Sequence, residues 1–437
     1  MPTTVTRTAR AIAVASIGLL ATSSLAQSVL RQGASRDWTL SYRVNIRAWQ
    51  DFGNQEQQRG ASHDRWEFEQ ATVVVPWLER TSLSRTNQPH EISVKVDDRD
   101  AVPARTNPEI VLTGRHAGSR YLGFAIGKST ARELTVNATM SITAYDVTLD
   151  DERAAAIEWP AGDWPADAMS ALEPQVGIEF GLDGEPYEGL DRVGDSIDRL
   201  ISRLGTDPRN VPPYLVAKYL TGAIWAHIRS QDGSGLTTAR TGEIEGIDVS
   251  GVPTTFVRRR GNAFEVAALL TYTMRRAGLP ARMVMGQVAD SRFDQEDVLT
   301  RDRGKEGEFI AWVEFALVER GRTTWVPVDI NGMMERSSRA PDINDVETLR
   351  EPWEGFGTIK DSQYWAPFAF HVHPPLTVKA YNAPGFWGIF AEPAEPGRAE
   401  QMMSINVTTT PVTAETRRQR QEEEAQQGGG GRGRGRR

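Results

Sequence analysis

The run Gly261-Asn262-Ala263-Phe264-Glu265-Val266-Ala267-Ala268-Leu269-Leu270-Thr271-Tyr272-Thr273-Met274-Arg275-Arg276-Ala277-Gly278-Leu279-Pro280-Ala281-Arg282 decides how the rest of the chain is read. Its middle is apolar nearly all round, and a helix of that kind is buried on every side. Both ends carry their own punctuation. Asn262 suits an N-cap with Glu265 at the third helical position, Arg275 and Arg276 suit the negative C-terminal end, and Gly278 with Pro280 stop the helix. A buried helix from about Asn262 to Ala277 is therefore expected. Strands are expected after it over 282–288, 309–318 and 323–329, with the polar stretch 289–308 as a loop.

Upstream, Leu190, Val193, Ile197, Leu200, Ile201 and Leu204 fall three or four apart and Gly205 ends the pattern, which predicts one helix. A second is predicted after Pro213, with Leu215, Val216, Tyr219, Leu220, Ala223, Ile224 and Ile228 on one face. Residues 151–188, rich in Pro, Gly, Asp and Glu, read as a connector. Ahead of them the period changes to two. Leu134, Val136, Ala138, Met140, Ile142 and Ala144 alternate with polar residues, as do Trp38, Leu40, Tyr42, Val44 and Ile46. Further strands are expected over 71–77, 92–96 and 120–126, so 37–150 is predicted to be an antiparallel β-sandwich. Past Asp329, residues 331–364 read mostly as loop, with strands at 368–373 and 403–408. The Gly/Arg-rich segment 411–437 reads as disordered.

The first residues bear on location. Arg7 and Arg10 form a short basic start, Ala11 to Leu20 an apolar run, and Ser24-Leu25-Ala26 the small residues of a cleavage site. Residues 1–26 thus read as a signal peptide, and the apolar run is too short to span ~30 Å of hydrocarbon. The mature chain is expected to be exported, periplasmic or extracellular, with no transmembrane segment. Loss of two arginines would take the formal charge from −8 to −10, an acidity that argues against nucleic acid as a partner. Zero Cys excludes disulfides, thiolate metal sites and a thiol nucleophile.

The stretch 261–329 resembles the transglutaminase-like superfamily, which has a papain-like core. Family members open the buried helix with Gly-x-Cys-x-x-x-Ala and close it with Ala-Gly-Ile-Pro-Ala-Arg; here the two segments are Gly261 to Ala267 and Ala277-Gly278-Leu279-Pro280-Ala281-Arg282. The motif His-Ala-Trp-x-Glu aligns with Ile310-Ala311-Trp312-Val313-Glu314, and Trp-x-x-x-Asp with Trp325-Val326-Pro327-Val328-Asp329. The resemblance implies an α+β fold, with the β-sandwich followed by a papain-like transglutaminase domain over 189–410 that includes a C-terminal extension. It also implies a Cys–His–Asp triad, which this chain departs from. Ala263 stands at the Cys position and Ile310 at the His position; Asp329 alone remains.

Alanine has no nucleophilic atom and isoleucine carries no proton, so the acyl transfer of the family is not expected. Losing a triad nucleophile alone costs on the order of 10⁶ in turnover. Trp312 reads as a core aromatic before a substrate contact, and Glu314 and Arg282 as a cross-strand pair. Asn262, Trp312 and Glu314 would flank whatever cleft survives. Asp329 is either exposed or supplied with N–H donors, because a bare buried carboxylate is costly. No cofactor is expected. His371 and His373, two apart, could hold a metal with a carboxylate such as Asp329. His227 reads as a satisfied core histidine and Ser234 as part of a turn.

Three functions follow. The leading one is a non-catalytic exported protein whose inherited cleft or surface binds an extended peptide or cell-surface polymer. The second is a repurposed hydrolase using Asp329 with His371 and His373. The third is a structural or assembly module, which a groove filled by Trp side chains would favour.

Overall fold

The alternating strands of the sequence pair with one another over long distances. In the computed structural model, which describes residues 28–48, 65–86, 91–100, 109–110, 120–175, 177–181, 185–205, 207–231, 236–238, 244–247, 250–289, 309–369, 388–392 and 399–409, strand Leu30–Ala48 runs antiparallel to strand Glu133–Leu149 with Trp38 opposite Ile142 and Val44 opposite Val136. The inward residues of both strands are buried, as their period of two requires. Around this pair an eight-stranded sheet is built; a second, four-stranded sheet has strands Trp66–Trp77 and Arg120–Ala131 at its centre. The sandwich residues Trp38 and Ile126 share one core with the helices below.

Eight α-helices are described: α1 (Asp151–Ala155), α2 (Ala166–Met169), α3 (Leu190–Ile201), α4 (Pro213–His227), α5 (Gly251–Arg258), α6 (Ala263–Arg276), α7 (Ile330–Arg336) and α8 (Val346–Arg350). Helix α6 has the ends its sequence calls for. The Asn262 side chain accepts from the Glu265 N–H at 3.0 Å and the Glu265 carboxylate accepts from the Asn262 N–H at 3.0 Å, a complete capping box. Gly278, at φ +77, turns the chain out of the helix where a side chain would be strained. Asn262→Ala is expected to cost about 1 kcal/mol of stability, read by urea denaturation; no loss would mean the cap is dispensable.

Helix α6 packs on an antiparallel sheet ordered Arg322–Val328, Phe309–Glu319, Ala281–Val288, Trp365–Ala369. Pairing sets Arg282 opposite Glu314 and Gly286 opposite Ile310. The fold is therefore α+β, with antiparallel sheets in front and an α6-centred core behind.

Three expectations differ from what is observed. The extension assigned to the second domain contributes to the sandwich: strand Ala399–Thr409 pairs with Leu30–Ala48, Trp38 opposite Thr409, and strand Gly388–Glu392 pairs with Trp66–Trp77. Residues 331–364, read mostly as loop, contain most of α7 and all of α8. Both are short, and each is started by an aspartate that accepts from an N–H one turn on, a signal too local to show as periodicity. The connector 151–188 holds the short α1 and α2, and Trp159 and Trp164 within it meet edge to face at 5.7 Å.

The two halves are zipped together. Trp38 Nε1 donates to the Gln363 carbonyl at 2.7 Å, and Val147 and Ile359 exchange backbone hydrogen bonds of 3.2 and 3.0 Å. Leu78, Leu83 and Val147 from the sandwich form one apolar cluster with Val284, Trp312 and Ile359 from the core.

Candidate functional site

Each position that the motifs align with the family's triad has a structural role here. Ala263 is the first residue of α6, half-buried, at the helix terminus where a thiolate would sit. Ile310, near the start of its strand, packs at the edge of the apolar cluster that joins the two halves, together with Trp365 and Leu30. Its register partner Gly286 has to be small: a Cβ there would lie 2.9 Å from Trp312 Cζ3. Trp312 is fully buried and its ring lies 5.5 Å from that of Trp365. Two tryptophans and an isoleucine thus occupy this end of the sheet.

Asp329 has found N–H donors. It is 8 % exposed, its Oδ1 accepts from the Gly332 N–H at 2.9 Å as the N-cap of α7, and Arg336 Nη2 lies 3.6 Å from its Oδ2. A Cβ at Gly332 would collide with the same carboxylate, so glycine is required there. Burial drives the Asp329 carboxyl above the usual carboxylate range, while the Gly332 N–H and Arg336 pull it part of the way back. A carboxyl raised in the folded state contributes stability that is full below its unfolded value, about 3.9, and lost as pH rises through the folded value. Asp329→Asn keeps an acceptor for the Gly332 N–H. It is expected to gain stability relative to the parent as pH rises from roughly 4 towards neutrality, in urea titrations at several pH values; parallel curves would contradict this.

Asn331 is the residue that ties the positions together, and sequence reasoning missed it. Its Nδ2 donates to the Ala263 carbonyl at 3.0 Å and to the Ala311 carbonyl at 3.1 Å, joining the start of α6 to the residue after Ile310. Because Asn331 lies two residues past Asp329, one side chain spans all three motif positions. Its Oδ1 is buried without a hydrogen-bond partner among the described residues. The Asp-x-Asn spacing was visible in the sequence but carried no pattern to single it out.

The expected cleft is not lined as supposed. Asn262 is engaged as a cap, and Trp312 and Glu314 are both 0 % exposed. Glu314 takes Arg282 through Nε at 2.9 Å and Nη2 at 2.7 Å, the cross-strand pair the sequence suggested. It also accepts from the Ser82 N–H at 2.7 Å and Ser82 Oγ at 2.5 Å, which sequence proximity gave no hint of. His227, half-buried against Phe256 with Nε2 3.1 Å from its carbonyl, is held below the usual histidine range by burial. His371, His373 and Ser234 lie outside the described residues, as do the segments 1–26 and 411–437. No described helix is long and apolar enough to cross a membrane.

Residues 238–330 match the family model of the transglutaminase-like superfamily, a span that contains α6 and all three motifs. Among solved structures, a candidate cysteine protease from Cytophaga hutchinsonii is 14% identical, with 88% of this chain and 94% of that chain covered and a TM-score of 0.44. The periplasmic domain of TgpA from Pseudomonas aeruginosa, bound to ethylmercury, is 14% identical, with 68% and 90% covered and a TM-score of 0.26. These identities and TM-scores are too low to carry function across. No curated protein sequence matches the chain.

Proposed function

We propose, from the premise that residues 238–330 are a transglutaminase-like core, that this chain is a non-catalytic exported binding protein. Its partner is a peptide or cell-surface polymer, held on the surface around the old catalytic centre. The observation that carries the reading is the replacement of both reacting side chains by hydrocarbon on an intact frame: Ala263 begins a fully capped helix, and Ile310 is packed with Trp312 and Trp365. Neither position offers a lone pair to a carbonyl carbon or a proton to a leaving group. Asp329, capping α7, has no imidazole at the position where the family holds one to orient. Export rests on the N-terminal basic and apolar pattern.

Trp312 filling the space beside Ile310 favours a second reading, in which the core serves only to brace the sandwich. The two are separated by whether purified protein retains any ligand on its surface. For catalysis, the test is incubation with amide, peptide and activated-ester substrates over a range of pH. No turnover above buffer is expected; turnover abolished by Asp329→Ala would overturn the reading.

A further inference from the structure

We propose that Arg229, Arg258, Arg259 and Arg260 form an anion-binding face that takes a polyanionic polymer carrying phosphate or carboxylate groups in close repeat. The inference rests on the reading of the chain as a binding protein and names the chemistry of what it binds.

Four observations converge. Helix α5 ends at Arg258, Arg259 caps it with φ +54, and Arg260 opens a two-residue strand, Arg260–Gly261, that leads directly into Asn262 and Ala263. That strand runs parallel to Arg229–Ser230 with Arg260 opposite Arg229, so two cations occupy partner positions. All four arginines are exposed, and Val257 beside them is 76 % exposed. None of the four makes an ion pair among the described residues, in a chain of net charge −8; the Arg229 guanidinium donates through Nη1 to the Ser338 carbonyl at 3.1 Å, and its backbone N–H to the Arg259 carbonyl at 2.9 Å. Glu265, four residues past Gly261, is spent on the Ser250 N–H at 2.9 Å and the Asn262 N–H at 3.0 Å.

Like charges at facing positions destabilise a sheet, and a positive φ is costly for a residue with a side chain. The fold carries both costs at one place without an ion-pair partner among the described residues. Guanidinium suits the role because its planar fork grips phosphate or carboxylate with two hydrogen bonds and gives up water more readily than an ammonium. Neighbouring residues of a strand lie ~3.3 Å apart and neighbouring strands ~4.8 Å. The four side chains therefore spring from a small area, which favours repeated charges on one chain over a lone anion. The exposed valine suits contact with the polymer backbone.

The test measures binding of long-chain polyphosphate and of polygalacturonate to the whole mature chain, by fluorescence anisotropy at several salt concentrations. The triple variant Arg229→Gln, Arg258→Gln, Arg260→Gln is expected to bind at least about tenfold more weakly, with the slope of log affinity against log salt shallower by about 2. Arg320→Gln with Arg322→Gln, at the far end of the core sheet, is expected to change affinity less than twofold. Arg258→Gln alone, at an exposed helix end, gives a smaller loss and guards against misfolding of the triple variant. Arginines of the C-terminal tail add the same background to every protein. Whichever polymer binds more tightly identifies phosphate or carboxylate as the group read. Unchanged affinity in the triple variant, equal loss in the control pair, or binding of neither polymer at low salt would each overturn the proposal. The turnover assay does not involve these arginines, so failure here and failure of the non-catalytic reading are distinguishable.

Discussion

Glu314→Ala is expected to destabilise the protein by about 3–5 kcal/mol, read as a fall in the urea midpoint. The carboxylate is 0 % exposed and receives five donors: Ser82 N–H and Oγ, Arg282 Nε and Nη2, and Trp312 Nε1. Removing it leaves the Arg282 guanidinium, 4 % exposed and 4.0 Å above the Trp325 ring, without the counter-charge that offsets its desolvation. It also frees two donors of Ser82, which belongs to the sandwich, so the loss falls on the joint between the halves. Glu314→Gln keeps the shape and one of the two acceptor oxygens, which can still take the Ser82 and Trp312 donors, and is expected to lose less than Glu314→Ala. Glu314→Leu combined with Arg282→Met is expected to recover much of the single-variant loss, because the penalty comes from the unpaired charge. A loss below about 1 kcal/mol in Glu314→Ala, the level of an exposed ion pair, would show that the site is hydrated.

What was legible in the sequence was local. The capping box of α6 needs only Asn262 and Glu265, and the period of two over Leu134 to Ala144 needs only one strand; both are observed. The Arg282–Glu314 pair was readable because the flanking motifs fix the register of two neighbouring strands. The misses were non-local. Nothing near Ala399–Thr409 announces that it pairs with Leu30–Ala48, more than three hundred residues away in the chain. Ser82 and Glu314 likewise meet across 232 positions. The helices α7 and α8 were missed because helices of 7 and 5 residues are too short to display a periodicity, and their Asp caps read equally well as turns.

The candidate site divides the same way. The residues at the aligned positions were readable from the motifs, but what packs around them was not. Trp365 reaches Trp312 from the edge strand, and Asn331 reaches Ala263 and Ala311 from α7. These contacts hold the aligned positions together without any of the family's reacting groups at Ala263 and Ile310. Asp329 and Asn331 anchor α7 to α6 and to the sheet, and Ile310 joins the apolar seal between the halves. On the proposed reading, each retained residue is kept for its contribution to packing.

Ala263→Cys is expected to yield a single thiol that alkylates with a pH midpoint below the ordinary value of about 8.5, because the position lies at the N-terminus of α6, where the positive end of the helix dipole favours the thiolate. The measurement is clean, since the chain has no other cysteine. Adding Ile310→His places an imidazole where the family aligns its proton carrier. If the two positions face each other, as the Asn331 bridge between Ala263 and Ala311 argues, an imidazolium lowers the thiol further, by about two units. At a pH near 6 the thiolate fraction then rises by nearly 10²-fold, and the lower basicity takes back somewhat less than 10-fold of that, since nucleophilicity falls with pKa at a slope near 0.45. The net gain in alkylation rate is about 10-fold for the double variant over Ala263→Cys. Slow, stoichiometric acylation by an activated ester is expected with it, without efficient turnover, because Asp329 stays committed to the Gly332 N–H and Trp312 with Trp365 still crowds the new imidazole. Identical midpoints in the single and double variants would mean that Ile310 does not face Ala263, and the alignment on which the proposed non-catalytic reading rests would fall with it.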